Sequence, residues 1–266
     1  MTEETHDKPK RRRGIYLLPN LFTTAGLFSG FYAIVAATND RFEAAAVAIF
    51  VAMIMDGLDG RIARMTNTQS DFGKEYDSLS DMVAFGLAPA LVMYEWVLSG
   101  YGKIGWLAAF IYTAGAALRL ARFNVQHGVI NKRYFQGLAS PAATAAVAGL
   151  IWLGNDYDLR DSSPVGVFAA LLTVTVALLM VSNVRYRSFK DIDIRGKVPF
   201  IAIGLLVMVF VLISLDPPQV LFLIAFGYAL SGPVMTLLQL QRTRTRRKSG
   251  ATRRHVDDEN QPPSVP

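Results

Sequence analysis

Eight apolar segments make up most of this chain, and they restrict its fold more than any other feature. Hydrocarbon offers no partner to a free backbone N–H or C=O group, so a segment that crosses it has to be helical. Several segments are short for a span of roughly 20 residues, so they would be extended at their ends, tilted or buried. The composition agrees, because 52% of the residues are apolar and only 18% are charged. We therefore predict an all-α polytopic membrane protein with about eight transmembrane helices. The segments are Ile15–Ala37, Phe42–Leu58, Ser78–Leu98, Ile104–Ala121, Ala139–Leu153, Pro164–Val181, Pro199–Leu215 and Val220–Leu240.

Basic residues predict how these helices are oriented. They cluster in both tails and in every second connection, whereas the connections "TNDR", "SGYGK", "GNDYDLRDSS" and "DPPQ" are poor in Lys and Arg. The positive-inside rule then puts both termini in the cytoplasm. The net charge of +6 is explained by anionic headgroups, so we expect membrane lipids and no nucleic acid as partners. We expect a basic cytoplasmic tail (1–14), a transmembrane domain (15–240) and a basic, then polar, disordered tail (241–266).

Four acids interrupt the apolar pattern in the stretch "DGLDGRIARMTNTQSDFGKEYDSLSD". Asp56 and Asp59 are three residues apart, and Asp77 and Asp81 are four apart, so each pair shares one helix face. The polar residues between the pairs predict a turn, after which Ser70 or Asp71 would cap the next helix. Two antiparallel helices joined there would bring both acid pairs to a similar depth, near the cytoplasmic surface.

Four clustered carboxylates need compensation. An ionised acid costs roughly 2.5–3.5 kcal/mol at the centre of a membrane helix, and like charges at helical spacing add to that. Arg61, Arg64 and Lys74 could pair with the acids, or a divalent cation could bind them, since oxygen ligands suit Mg²⁺, Mn²⁺ or Ca²⁺. Because the helix ends carry more acid than nearby base, the spacing favours a metal site.

The acids belong to a longer pattern, Asp56-x2-Asp59-Gly60-x2-Ala63-Arg64-x8-Gly73-x3-Asp77-x3-Asp81. This pattern resembles the signature of the CDP-alcohol phosphotransferases at all eight positions. Further stretches are similar to the integral-membrane phosphatidylserine synthases within that family, although Ala139 stands where proline is expected. These stretches are "YLLPNLFTTAGLFSGFYAI" (16–34), "ALRLARFN" (117–124), "FQGLASPAA" (135–143) and "SNVRYRSFKD" (182–191).

The resemblance implies an integral enzyme of the inner (cytoplasmic) membrane, whose active site faces the cytoplasm and takes a lipid substrate. It implies that the hydroxyl of L-serine displaces CMP from CDP-diacylglycerol. It also implies that the enzyme is a homodimer. It also implies Mg²⁺ or Mn²⁺, as one or two ions, on Asp56, Asp59, Asp77 and Asp81, with Asp81 as the general base as well. Gly60, Ala63, Arg64 and Gly73 would line the site of the CDP moiety.

Two further groups are candidates for substrate binding. Asn20 and Thr23 begin the first span on the same side of the membrane, where they could reach the nucleotide or simply cap and pack beside Pro19. Arg119 and Arg122, with Asn124, end the fourth span on that side. A guanidinium suits the carboxylate of serine, but both arginines could equally be positive-inside anchors.

Two other functions stay open from sequence alone. One is a sister enzyme that uses glycerol 3-phosphate, inositol, inositol phosphate or choline, in which Arg133 or Arg185 could bind an acceptor phosphate. The other is a divalent-cation transporter. Transporters usually place ionisable groups near the bilayer midplane, whereas these acids are predicted to lie near one surface.

Overall fold

The computed structural model describes residues 17–125, 134–187 and 200–259, and it is helical through most of them. The N-terminal tail (1–14) and Arg133 lie outside these residues. The helices are α1 (Leu17–Ala37), α2 (Phe42–Met65), α3 (Asp71–Asp81), α4 (Ala88–Trp96), α5 (Gly102–Val125), α6 (Ser140–Asp156), α7 (Ser163–Val181), α8 (Phe200–Leu215) and α9 (Pro217–Glu259). A π-helical segment (Met82–Leu87) joins α3 to α4, and the strands β1 (Tyr134–Gln136) and β2 (Arg185–Arg187) complete the elements.

The prediction of a helical membrane protein is confirmed, and the eight predicted segments fit eight helical rods when α3, the π-helical segment and α4 are counted as one. Among the described residues, four stretches are long and apolar enough to cross a membrane: Leu17–Ala37, Leu98–Val125, Ser163–Val181 and Pro217–Leu238. The others fall short for visible reasons. Helix α2 ends in charged residues, α3 is polar, and α6 and α8 have only 17 and 16 residues.

Small residues let α1 pack closely against the elements that carry the acids. A Cβ added at Gly30 would lie 2.7 Å from the Cα of Ala84 in the π-helical segment. One added at Gly26 would lie 3.6 Å from the Cβ of Met55 on α2 and 3.9 Å from the Oγ of Ser80 on α3. Close backbone approach of this kind is how membrane helices associate, since burial of apolar surface contributes little between helices in lipid. Helix α1 therefore fixes α2 and α3 relative to each other.

The two strands were not predicted. They pair antiparallel, with Phe135 opposite Tyr186, and so tie the α5–α6 connection to the α7–α8 connection. Gly137 follows β1 with φ +77°, and its N–H donates to the Val184 carbonyl at 2.8 Å. An added Cβ at Gly137 would lie 2.4 Å from the Met180 carbonyl oxygen, so glycine is needed at this position.

Helix α9 continues past residue 241, where the sequence predicts a disordered tail, as far as Glu259. Residues 241–259 are rich in arginine and contain no proline, and the next proline is Pro262. Arginine is a good helix former, so local propensity agrees with a continued helix.

Candidate active site

The turn between α2 and α3 brings three of the four acids together. Ser70 begins α3 as its N-cap, and its hydroxyl accepts a hydrogen bond from the Gly73 N–H at 3.0 Å, one of the two caps that the sequence predicts. Asp56, Asp59 and Asp77 each offer a carboxylate oxygen, and these oxygens all lie within 4.8 Å of one another. Asp81 lines the same cavity. This oxygen-only donor set matches what a hard divalent cation prefers.

The charge of Arg64 acts on Asp59, but ion pairs with nearby bases do not compensate the four acids as a group. None of the four aspartates forms an ion pair with a base whose side chain the structure describes. Lys74 pairs instead with Asp71 at 3.0 Å. Arg64 folds back over Gly60, where an added Cβ would lie 3.5 Å from one of its guanidinium nitrogens.

The pKa of Asp77 shows the effect of gathering these negative charges in one place. It precedes the third apolar segment, which begins at Ser78. Burial, followed by the charges of Asp59 and Asp56, raises the pKa of Asp77 to about 7. A carboxylate in such surroundings either keeps a proton or gains from a nearby cation, so the electrostatics agree with the donor set.

A layer of hydrogen bonds orients Asp59, which is only 4% exposed. The Thr23 hydroxyl on α1 donates to Asp59 Oδ2 at 2.7 Å and lies farther, at 3.2 Å, from the Pro19 carbonyl. Ser80 on α3 donates to the Thr23 carbonyl at 3.1 Å. Thr23, predicted to contact the nucleotide or to pack, therefore has its hydroxyl directed at one of the acids, a role that sequence reasoning missed.

The acids line one wall of a cavity of ≈ 630 Å³. The substrate-binding candidates on α1, α2 and α3 line this wall too, and the α2–α3 turn adds Thr68 and Gln69. The candidates that share the wall with the acids are Asn20, Thr23, Gly60, Ala63, Arg64 and Gly73. Asn20 is close to the start of α3, since a Cβ added at Gly73 would lie 3.5 Å from its Oδ1.

A second wall of the cavity comes from the end of α5 and from the residues around the start of α6. It consists of Arg119, Leu120, Phe123, Ala139, Ser140 and Pro141. Arg119 is 8% exposed and donates to the Gln136 carbonyl at 2.8 Å. Sequence reasoning assigned no role to Ser140, although the stretch "FQGLASPAA" that contains it was noted for its resemblance.

Arg122 and Asn124 do not line this cavity. Arg122 reaches the Ser182 carbonyl and Asn183 Oδ1, at 3.5 and 3.4 Å. Asn124 donates to the Ser78 hydroxyl at 3.0 Å, which links the end of α5 to α3. Of the three residues proposed for serine, the structure thus places only Arg119 in the cavity.

Comparison with known proteins points to one family. The family model described as CDP-alcohol phosphatidyltransferase matches residues 16–181. A CDP-diacylglycerol–serine O-phosphatidyltransferase of Helicobacter pylori is 39% identical over 197 residues, which are 74% of this chain and 83% of the relative. One of Mycobacterium tuberculosis is 31% identical over 228 residues, 83% of this chain and 79% of the relative. An archaetidylserine synthase of Methanothermobacter thermautotrophicus is 31% identical over 179 residues, 66% of this chain and 72% of the relative.

Proposed function

The chain belongs to the CDP-alcohol phosphatidyltransferase family, and from this we propose that it transfers the phosphatidyl group of CDP-diacylglycerol to the hydroxyl of L-serine, releasing CMP. The observation that carries the proposal is the shared cavity, which has clustered carboxylates on one wall and the buried guanidinium of Arg119 on the other. The first suits a diphosphate bound with metal, and the second suits the carboxylate of an amino acid.

The metal site follows from the donor set. Asp56, Asp59 and Asp77 would hold a divalent cation, Mg²⁺ or Mn²⁺, and Asp81 would contribute to a second ion. When bound, such ions supply positive charge that offsets the diphosphate and the charge that develops during displacement. Asp59 needs Thr23 for this task, because the hydrogen bond fixes the direction of its carboxylate.

The remaining residues of the acid wall would position the CDP moiety. Gly60, Ala63 and Gly73 have little or no side chain, so the substrate can approach the backbone. Arg64, whose charge also acts on Asp59, would extend its guanidinium toward a phosphate. Asn20, next to the start of α3, offers an amide to the nucleotide.

In the transfer itself, a bond forms between the serine oxygen and the phosphorus that bears diacylglycerol. The bond from that phosphorus to the oxygen of CMP breaks, and CMP leaves with the electron pair. Asp81 takes the hydroxyl proton of serine as general base. Arg119 binds the serine carboxylate and so limits the directions from which the hydroxyl can approach.

We further propose an inner-membrane homodimer with both termini and the cavity opening on the cytoplasmic side. The basic residues of the tails and of alternate connections support this orientation. The domain limits of 15–240, between tails 1–14 and 241–266, belong to the same proposal. The mass of the purified protein in detergent, measured by light scattering, tests the dimer, and a monomer would reject it.

The function is tested with purified protein, CDP-diacylglycerol, Mn²⁺ and labelled L-serine. We expect serine-dependent release of CMP and labelled phosphatidylserine, and about a 100-fold or greater loss in Asp59→Asn and Asp77→Asn. Asp71→Asn is the matched control, because Asp71 lies in the same stretch but is almost fully exposed and pairs with Lys74.

Separate outcomes would reject separate parts of this proposal. CMP release that requires glycerol 3-phosphate, inositol or choline in place of serine would reject the acceptor. Full turnover in excess chelator would reject the metal. Equal losses in Asp71→Asn and Asp59→Asn would reject the assignment of the site.

A further inference from the structure

The helix that carries Asp77 and Asp81 changes its winding directly after Asp81. The π-helical segment begins at Met82 and ends at Leu87, and the Ala88 N–H donates to the carbonyl of Val83, five residues earlier. A π turn holds one residue more than an α turn. Each residue of an α-helix turns the chain by about 100° about the helix axis. The extra residue therefore sets the direction in which the side chains of α3 point relative to those of α4.

A pair of buried hydroxyl groups holds this segment. The Phe85 carbonyl accepts from the Tyr112 hydroxyl on α5 at 3.1 Å and from the Thr144 hydroxyl on α6 at 3.0 Å. The two hydroxyls also lie 3.1 Å apart. Both side chains are fully buried. Each hydroxyl has one hydrogen, and the two groups cannot both donate to each other. When both hydrogens are used within this group of three, at least one of them is therefore donated to the Phe85 carbonyl.

The winding has a direct consequence for the acids. In the observed direction of α3, Ser80 donates to the Thr23 carbonyl, and carboxylate oxygens of Asp77 and Asp59 lie within 4.8 Å of each other. Helix α1 blocks compensating movements, because Gly30 lies against Ala84 of the π-helical segment. If the segment returned to α-helical winding, the face that carries Asp77 and Asp81 would turn away from α2.

We propose that Tyr112 and Thr144 are positioning residues for the metal site. By binding the Phe85 carbonyl they hold the π-helical segment, which directs Asp77 and Asp81 at the acids of α2. They touch no substrate in this role. The inference rests on the proposed metal site, and it assigns a task to two polar groups inside the helix bundle that the transfer reaction does not use.

The test compares Tyr112→Phe/Thr144→Val, which lacks both hydroxyls, with Tyr112→Phe/Thr144→Ser, which keeps one. Thr173→Val is the matched control, because Thr173 is equally buried but donates to the Ala169 carbonyl of its own helix. Binding of Mn²⁺ is measured by electron paramagnetic resonance, alongside the Mn²⁺ dependence of CMP release. Thermal unfolding in detergent shows whether each variant is folded.

We expect the variant without hydroxyls to bind Mn²⁺ about 10–100-fold more weakly than the parent, as is typical when support of metal ligands is lost. The serine variant should recover most of this loss, and Thr173→Val should bind as the parent does. If the double variant does not fold, Tyr112→Phe alone is measured, and a smaller loss in the same direction is expected.

Parental Mn²⁺ affinity in the folded double variant, or in Tyr112→Phe where only that variant folds, would overturn the inference. A loss that is equally large in Tyr112→Phe/Thr144→Ser would also overturn it, since the hydroxyl kept in that variant can still donate to the Phe85 carbonyl. These results are separable from failure of the proposed function. If serine proves to be the wrong acceptor, the comparison of Mn²⁺ binding still decides the role of the two hydroxyls.

Discussion

Replacing Thr23 by valine removes one hydroxyl beside the acid cluster and nearly preserves the shape of the side chain. The hydroxyl lies 2.7 Å from Asp59 Oδ2, and both residues are buried, at 5% and 4% exposure. A hydrogen bond to a charged group contributes about 1.5–3 kcal/mol. At about 1.4 kcal/mol for each factor of ten, this corresponds to roughly 10–100-fold in the affinity of the site for metal.

The Mn²⁺ dependence of CMP release, at saturating CDP-diacylglycerol and serine, measures this effect. We expect Thr23→Val to need about 10–100-fold more Mn²⁺ for half-maximal release and to recover most of its kcat at saturating Mn²⁺. A residue that instead contacts the nucleotide would change the KM for CDP-diacylglycerol at every Mn²⁺ concentration.

Thr173→Val again serves as the control for loss of a buried hydroxyl, and it should titrate as the parent does. The reasoning is refuted if Thr23→Val shows the Mn²⁺ dependence of the parent. It is also refuted if both variants shift equally, since the effect would then not depend on the bond to Asp59.

Two further predictions concern the acceptor and the orientation. Arg119→Lys should raise the KM for serine about tenfold, because lysine cannot form the paired hydrogen bonds of a guanidinium. The KM for CDP-diacylglycerol should change little, and equal changes in both KM values would contradict the assignment. The chain has no cysteine, so Thr5→Cys, Ser249→Cys and Ser99→Cys each create a single thiol. In right-side-out vesicles, an impermeant maleimide should label only Ser99→Cys, and labelling of either tail variant would overturn the orientation.

The sequence predicts the helical rods well because hydrocarbon leaves few alternatives. Convergence of the acids is also predictable, since 3.6-residue periodicity and a capped turn suffice to place Asp56, Asp59 and Asp77 together. The π-helical segment is different. Its sequence, "MVAFGL", reads as ordinary apolar helix, and the groups that hold its winding come from α5 and α6, far away in the chain.

Of the three serine-binding candidates only Arg119 lines the cavity, and the sequence could have predicted this in part. Asn124 lies five residues after Arg119, so the two point about 140° apart on one helix and are poorly placed to face the same cavity. Arg122 is nearer in phase, and only the tertiary contacts with Ser182 and Asn183 show where it goes. The strand pair was beyond prediction, because three-residue strands about 50 residues apart leave no local pattern.

The strand pair also brings together two stretches that are distant in the sequence and that both resemble one branch of the family. It joins "YFQ" in the α5–α6 connection to "RYR" after α7, and the carbonyl of Gln136, in β1, accepts the hydrogen bond of Arg119. The wall that contains Arg119, here called the acceptor wall, consists of residues at the end of α5 and around the start of α6, and the strand pair supports it through the bond to Gln136. The acid wall is built from α1, α2, α3 and the turn between α2 and α3. In the proposed mechanism, the acid wall binds the metal and the CDP moiety, which is the same task for every alcohol. We therefore expect selectivity for serine to depend on the acceptor wall, where Arg119 is held in place by backbone that the strand pair fixes.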